Sequence, residues 1–158
     1  EPMPSVYIET TVPSYYVETR SSPRIAAWRD VTRQWWDRHR RRYDLYTSRF
    51  VPAELARAPA PKGGRARALL KGVGVLDEPP GLEEVVVYYI EQKLMPAEAG
   101  GDAVHLALAS MHSMDFLLTW NCRHLANANK IQHMAVLNGR LRLHLPVITT
   151  PLTLMPEE

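Results

Sequence analysis

At 158 residues, with 46% hydrophobic and 23% charged residues, the chain is long enough for one domain around one sizeable core and too apolar to stay disordered. Its formal net charge of +2 is too small to imply nucleic-acid binding by itself. The lone cysteine, Cys122, excludes an internal disulfide and a multi-cysteine zinc site, and no apolar run approaches the length of a membrane span. The amino-terminal stretch lacks a basic segment followed by an apolar one, so a soluble cytoplasmic protein is expected.

Ser5-Val-Tyr-Ile-Glu9 reads as a short apolar strand ending on an acid, and Thr10-Thr-Val-Pro13 as the turn that follows. From Pro23 to about Tyr43 the period becomes helical: Ile25, Trp28, Val31 and Trp35 recur about once per turn, opposite Arg29, Asp30, Arg33, Asp37 and Arg40. That repeat assigns the tryptophans to packing, in the core or against a partner, rather than to base stacking. The run His39-Arg-Arg-Arg42 serves either as a solvated helix end or as a patch for backbone phosphates.

Asp44-Leu-Tyr-Thr-Ser48 is a second strand. A helix then begins near Pro52, with Glu54 in its first turn, and Pro59 and Pro61 end it. A basic helix follows over 62–71. Its Gly-Gly lacks the spacing and the Lys-hydroxyl pair of a phosphate loop. Gly72-Val-Gly-Val-Leu76 is a third strand, and Leu82–Leu94 a helix in which Val85-Val-Val87 leaves a strand open locally.

Asp102–Met111 is the clearest helix, with Ala103, Val104, Ala107, Leu108 and Met111 forming an apolar surface. Phe116-Leu-Leu-Thr-Trp120 is a buried strand with Asn121 at its end. A helix over 125–137, a turn at Asn138-Gly139 and a strand over 146–150 complete the chain. Short apolar strands alternating with helices predict a parallel α/β sheet covered on both faces.

In such a sheet the strand ends and the following helix starts converge on one edge. Glu9, Glu54, Asp102 and Asn121 all fall there. The carboxylates are hard oxygen ligands suited to Mg²⁺ or Mn²⁺, and without a cation they would repel one another. Taken singly, Asp102 also reads as a helix cap, and Glu9 and Glu54 as surface acids.

Val6-Tyr-Ile-Glu-Thr-Thr11, Ser48-Arg-Phe-Val-Pro-Ala-Glu-Leu55, Gly101-Asp-Ala-Val-His-Leu-Ala-Leu-Ala109, Leu117-Leu-Thr-Trp-Asn121 and Pro146-Val-Ile-Thr-Thr-Pro151 stand in an order that resembles the PIN-domain nuclease family, including the VapC toxins of type II toxin–antitoxin pairs. The resemblance implies a three-layer α/β/α domain with a short central parallel sheet over residues 5–155. It also implies an endoribonuclease dependent on Mg²⁺ or Mn²⁺, with RNA and a cognate antitoxin as partners. Glu9 matches the family's first metal-binding acid, Glu54 the middle acid and Asp102 the acid that opens a later helix. Asn121 falls where many members carry another Asp and others Asn. Thr10 or Thr11, Ser48 and Thr119 match polar positions that organise water or ligands, and His105, on the helix of Asp102, reads as helix packing or as a hydrogen-bond support behind the ligands.

Two features depart from the pattern. Glu9 is one methylene longer than the usual Asp, and Asn121 carries no charge. A catalytically silent PIN-like domain that binds RNA or protein is therefore the alternative function.

Other chemistries are weaker. Asp102 and His105 share a helix face with His112, and His124 lies downstream, but the spacing completes no zinc-hydrolase motif. Cys122 beside Arg123 and His124 has no acyl site, and no Ser-His-Asp constellation is present. The Trp28–Trp36 helix and the Phe116 region offer apolar surface either to the core or to a homodimer.

Overall fold

The computed structural model describes residues 2–156. Five parallel strands, β1 (Ser5–Ile8), β2 (Asp44–Thr47), β3 (Gly74–Val75), β4 (Phe116–Leu118) and β5 (Val147–Thr149), form one sheet in the order β3-β2-β1-β4-β5. Register is set by Val6 opposite both Leu45 and Phe116, and by Leu117 opposite Ile148. The helices are α1 (Thr11–Tyr16), α2 (Pro23–Gln34), α3 (Phe50–Leu55), α4 (Lys62–Leu69), α5 (Leu82–Glu91), α6 (Gly100–Met111) and α7 (Ala128–Leu141).

Alternation along the central strands divides the core in two. Tyr7 and Leu117 point into a cluster with Val85 and Tyr89 of α5, Leu106 and Ala107 of α6, and Met134 and Leu137 of α7. Val6, Ile8 and Leu118 point to the opposite face, against Val12, Trp35, Trp36, Val51 and Leu55. Both faces of β1 and β4 are thus covered, which is why these strands are continuous apolar runs rather than alternating ones. Residues 82–91 are helical, with Val85 and Tyr89 one turn apart on the buried side, and Gly81, at φ +93°, turns the chain into that helix.

Several boundaries differ from the sequence reading. Thr10–Pro13 is not an open turn, because α1 starts at Thr11 and carries Pro13 in its first turn, where no intrahelical N–H is needed. The long helix through Tyr43 stops being α-helical at Gln34, passes through a π-helical segment (Trp35–His39) and ends in a 3-10 turn (Arg40–Arg42). Trp35 and Trp36 are both buried in that segment, and Trp35 stacks on Tyr43 with centroids 5.7 Å apart. Phe116 meets Tyr43 edge-on at 6.2 Å, so these rings pack within the chain.

Trp28 has Trp120 on one side at 4.5 Å and nearly parallel, and the Arg24 guanidinium over its ring at 5.1 Å, which supports packing over base stacking. Asn138-Gly139 is not a turn but lies inside α7. The Asn138 amide is buried and fully used: it accepts from Tyr89 Oη at 2.6 Å and donates to Ser110 Oγ at 2.9 Å, and burial pushes the Tyr89 hydroxyl up to about 12. The left-handed residue that ends the helix is Arg142.

Candidate active site

The chain leaves β1 for β2 and β3 on one side and later reaches β4 and β5 on the other. The reversal opens a crevice at the carboxyl ends of β1 and β4, where ligands bind in open α/β sheets. Glu9 follows β1 directly, its N–H donating to Leu118 O at 3.1 Å, while Ser48 follows β2 and Thr119 follows β4. Glu54 reaches the same edge from α3 and Asp102 from α6.

Glu9 is only 3% exposed and is held through a single oxygen. Its Oε1 accepts from Thr11 N at 3.0 Å, Thr11 Oγ1 at 2.5 Å and Thr119 Oγ1 at 2.7 Å. Both hydroxyls also accept a backbone N–H from the chain after β4, Thr11 from Trp120 at 2.8 Å and Thr119 from Asn121 at 2.9 Å. Among the described residues Oε2 takes no donor. Burial pushes the Glu9 carboxyl above its ordinary range, against the pull of the His105 charge and of the Thr11 and Thr119 bonds.

Glu54 sits in the last turn of α3 rather than in a first turn, because the helix begins at Phe50; the macrodipole therefore does not favour its charge. Side chains do so instead. Its Oε1 accepts from Thr10 Oγ1 and, at 2.6 Å, from His105 Nε2. Burial alone would raise its pKa, but the His105 bond and charge and the Thr10 bond hold it below the ordinary value. Its Oε2 takes no donor among the described residues and occupies room left by a glycine: a Cβ on residue 101 would stand 2.8 Å from it.

Asp102 is the third residue of α6 and makes no capping bond, so the cap reading does not hold. Burial raises its pKa and so does the Glu54 charge, opposed by the neighbouring Asn121 amide and the imidazoles of His124 and His105.

His105 is the hub that joins these groups. It is fully buried, with Nε2 on Glu54 and Nδ1 2.6 Å from Tyr7 Oη, which lies 2.7 Å from Ser48 Oγ. Burial opposes its protonation, but the Glu54 bond and the charges of Glu9, Glu54 and Asp102 raise its pKa overall. Burial also raises that of Tyr7, keeping the hydroxyl protonated. Tyr7 was missed from sequence because its strand position reads as plain core; only its register beside Ser48 and across from His105 shows its polar end in use.

Asn121 is engaged differently from the acids. Its Oδ1 accepts from the backbone N–H of Arg123 at 3.2 Å and of His124 at 2.9 Å, so it shapes the loop after β4. Cys122 is a free, exposed thiol. A separate cavity of about 520 Å³, lined by Phe50, Pro80, Leu82 and Val86 among others, includes none of the candidate residues.

The donor set suits a hard divalent cation: anionic oxygens, two of them freed because the same carboxylates bind protein donors only through their other oxygen. As the side chains stand, no three His, Cys, Asp or Glu among the described residues are placed to hold one ion.

No protein-family profile and no curated protein matches this sequence. A solved structure does match its fold: that of VapBC2 from Rickettsia felis bound to a DNA fragment from their promoter. The match has a TM-score of 0.53 and 11% identity, over 92% of this chain and 98% of that one. The chain has a three-layer α/β/α PIN-like fold. In this PIN-like sheet the candidate acids occupy the switch-point edge, and no helix among the described residues is long and apolar enough to cross a membrane.

Gly101→Ala separates site from scaffold. Alanine at this helical position is worth up to about 1 kcal/mol over glycine, so thermal stability should hold or rise. The Glu54 carboxylate must move; if it holds a cation, Mn²⁺ affinity by calorimetry should fall roughly tenfold, the scale of lost support around a metal ligand.

Proposed function

We propose that residues 5–155 form a divalent-metal-dependent endoribonuclease that acts in the cytoplasm as the toxin of a toxin–antitoxin pair. The observation that carries this reading is the free oxygens of Glu9 and Glu54, beside Asp102, at the switch-point edge of a PIN-like sheet. Pairing with an antitoxin is supported by the VapBC2 complex whose fold the chain shares.

Glu9, Glu54 and Asp102 would hold the cation. When bound, Mg²⁺ or Mn²⁺ supplies positive charge against the phosphodiester and makes water acidic enough to serve as nucleophile. Thr11 and Thr119 anchor the Glu9 carboxylate through one oxygen, and His105 and Thr10 anchor Glu54 in the same way, which limits how far either has to move to meet a cation. Water attacks phosphorus and the bridging oxygen leaves, without a covalent enzyme intermediate.

One observation favours the second reading, a silent PIN-like domain that binds RNA or protein: protonated His105 already gives Glu54 a charge partner without metal. Cleavage of a panel of single-stranded RNAs by rigorously purified protein decides between them. A nuclease is stopped by chelator, restored by Mg²⁺ or Mn²⁺ and lost in Asp102→Asn, whereas a silent domain binds RNA and leaves it intact with either metal.

A further inference from the structure

We propose that the loop after β4 is a phosphate seat: Arg123 and His124 hold a backbone phosphate of the RNA strand next to the bond being cut. This rests on the nuclease reading and adds where the substrate's backbone lies. A cavity of about 480 Å³ opens between Asp102, Arg123 and His124, with Pro96, Glu98 and Ala99 completing its wall. It therefore runs directly from one of the candidate metal-binding carboxylates to a cationic loop.

The loop is held in place before any ligand arrives. Asn121 Oδ1 binds the N–H groups of both Arg123 and His124, and Asn127 Nδ2 donates to Arg123 O at 3.0 Å. Both bonds use the backbone of Arg123 and leave its side chain free: the exposed guanidinium has no hydrogen-bond or ion-pair partner among the described residues. Arg49 is paired with Glu78 and His105 with Glu54, while Arg57, whose charge reaches Glu54, lies outside this cavity. His124 lines the same cavity, and its buried Nδ1 has no hydrogen-bond partner among the described residues. A guanidinium offers a planar fork that matches phosphate oxygens, and an imidazole adds a further donor.

The wall's two carboxylates, Glu98 and Asp102, decide which anion fits. A lone small anion would meet their repulsion. A phosphodiester strand spreads its charge over successive phosphates, so that one can fall to Arg123 without resting against Asp102. The seat also explains why an uncharged residue at position 121 serves: its task is to shape the loop, and its oxygen is already committed to two backbone donors.

The test measures binding of a fluorescein-labelled 12-nucleotide RNA by anisotropy, in chelator to keep it intact, and cleavage kinetics with Mn²⁺, for wild type, Arg123→Ala, Arg123→Lys and His124→Gln. Arg123→Ala should weaken binding three- to tenfold. It should also flatten the dependence of log affinity on log salt by about 0.7, the value for one single-strand phosphate contact, and raise KM more than it lowers kcat. Arg123→Lys should restore the salt slope but only part of the affinity, and His124→Gln should weaken binding without changing the slope by more than Arg123→Ala does. Unchanged RNA affinity, salt slope and KM in a folded Arg123→Ala protein overturn the seat while leaving the nuclease reading standing. Weakened binding of an antitoxin peptide with RNA binding intact would likewise overturn it and assign the loop to a protein partner. If the wild type neither binds nor cuts RNA, the nuclease reading fails and the seat fails with it.

Discussion

Glu9→Gln is expected to make the metal-free protein more stable and to abolish cleavage. The Glu9 carboxyl is buried and its pKa is raised above the ordinary value, chiefly by desolvation. Such a group contributes its full stability below the unfolded pKa and loses it as pH rises through the folded pKa. At neutral pH the fold therefore carries either a buried charge or the free energy of protonating it. Gln removes both. Its carbonyl can still accept from Thr11 and Thr119, and its amide replaces Oε2, which has no protein donor to lose.

The expected gain is on the order of 1–3 kcal/mol at pH 7, read as a rise in melting temperature in chelator. It should shrink towards zero as pH falls to the ordinary Glu range near 4.5. Cleavage should fall by more than about a hundredfold, since losing a partner behind a ligand already costs ten- to a hundredfold. A destabilised Glu9→Gln protein at pH 7 would mean that the charge is structural. One that cuts RNA normally would remove Glu9 from the chemistry.

His105→Ala should have the largest effect on stability, a loss toward the lower end of about 3–5 kcal/mol in urea unfolding, because it removes the buried partner of a half-buried ion pair. Glu54 loses its charge partner, Tyr7 Oη loses the bond to Nδ1, and Glu9 loses the nearest compensating cation. The pH dependence follows from two opposite shifts. The raised pKa of His105 gives stability that is complete below about 6.5 and is lost as pH rises through the folded value. The lowered pKa of Glu54 gives stability present above 4.5 and lost as pH falls through its folded value. The wild type should thus be most stable, relative to His105→Ala, on the acid side of neutrality between these limits. If the ion pair is the cause, Glu54→Gln combined with His105→Ala should be clearly less destabilised than the sum of the single changes.

The layered α/β sheet was legible because β1 and β4 are apolar on both faces, a pattern that only a doubly covered parallel sheet requires. The edge positions of Glu9 and Asp102 followed from the same rule, whereas Glu54 reaches that edge from the last turn of its helix and not from the first turn expected of it. Boundaries were harder where tertiary packing overrides local signals. Asn138-Gly139 has turn chemistry, yet Tyr89 and Ser110 bind the Asn138 side chain inside a helix. Trp35 and Trp36 are adjacent in sequence, and the π-helical segment accommodates both in the core. Within the site, sequence spacing could place His105 on the helix of Asp102 but not tell that it faces Glu54. Tyr7 and the loop-shaping role of Asn121 depend on contacts across the sheet that no local pattern encodes.

The most direct test is a crystal structure of the wild-type protein grown with Mn²⁺, with anomalous scattering used to locate the ion. The expected result is one ion shared by Glu54 Oε2, Glu9 Oε2 and Asp102, with Glu9 Oε1 still bound by Thr11 and Thr119. An ion bound elsewhere, or the three carboxylates left on their protein partners at saturating Mn²⁺, would contradict a hydrolytic centre at this edge.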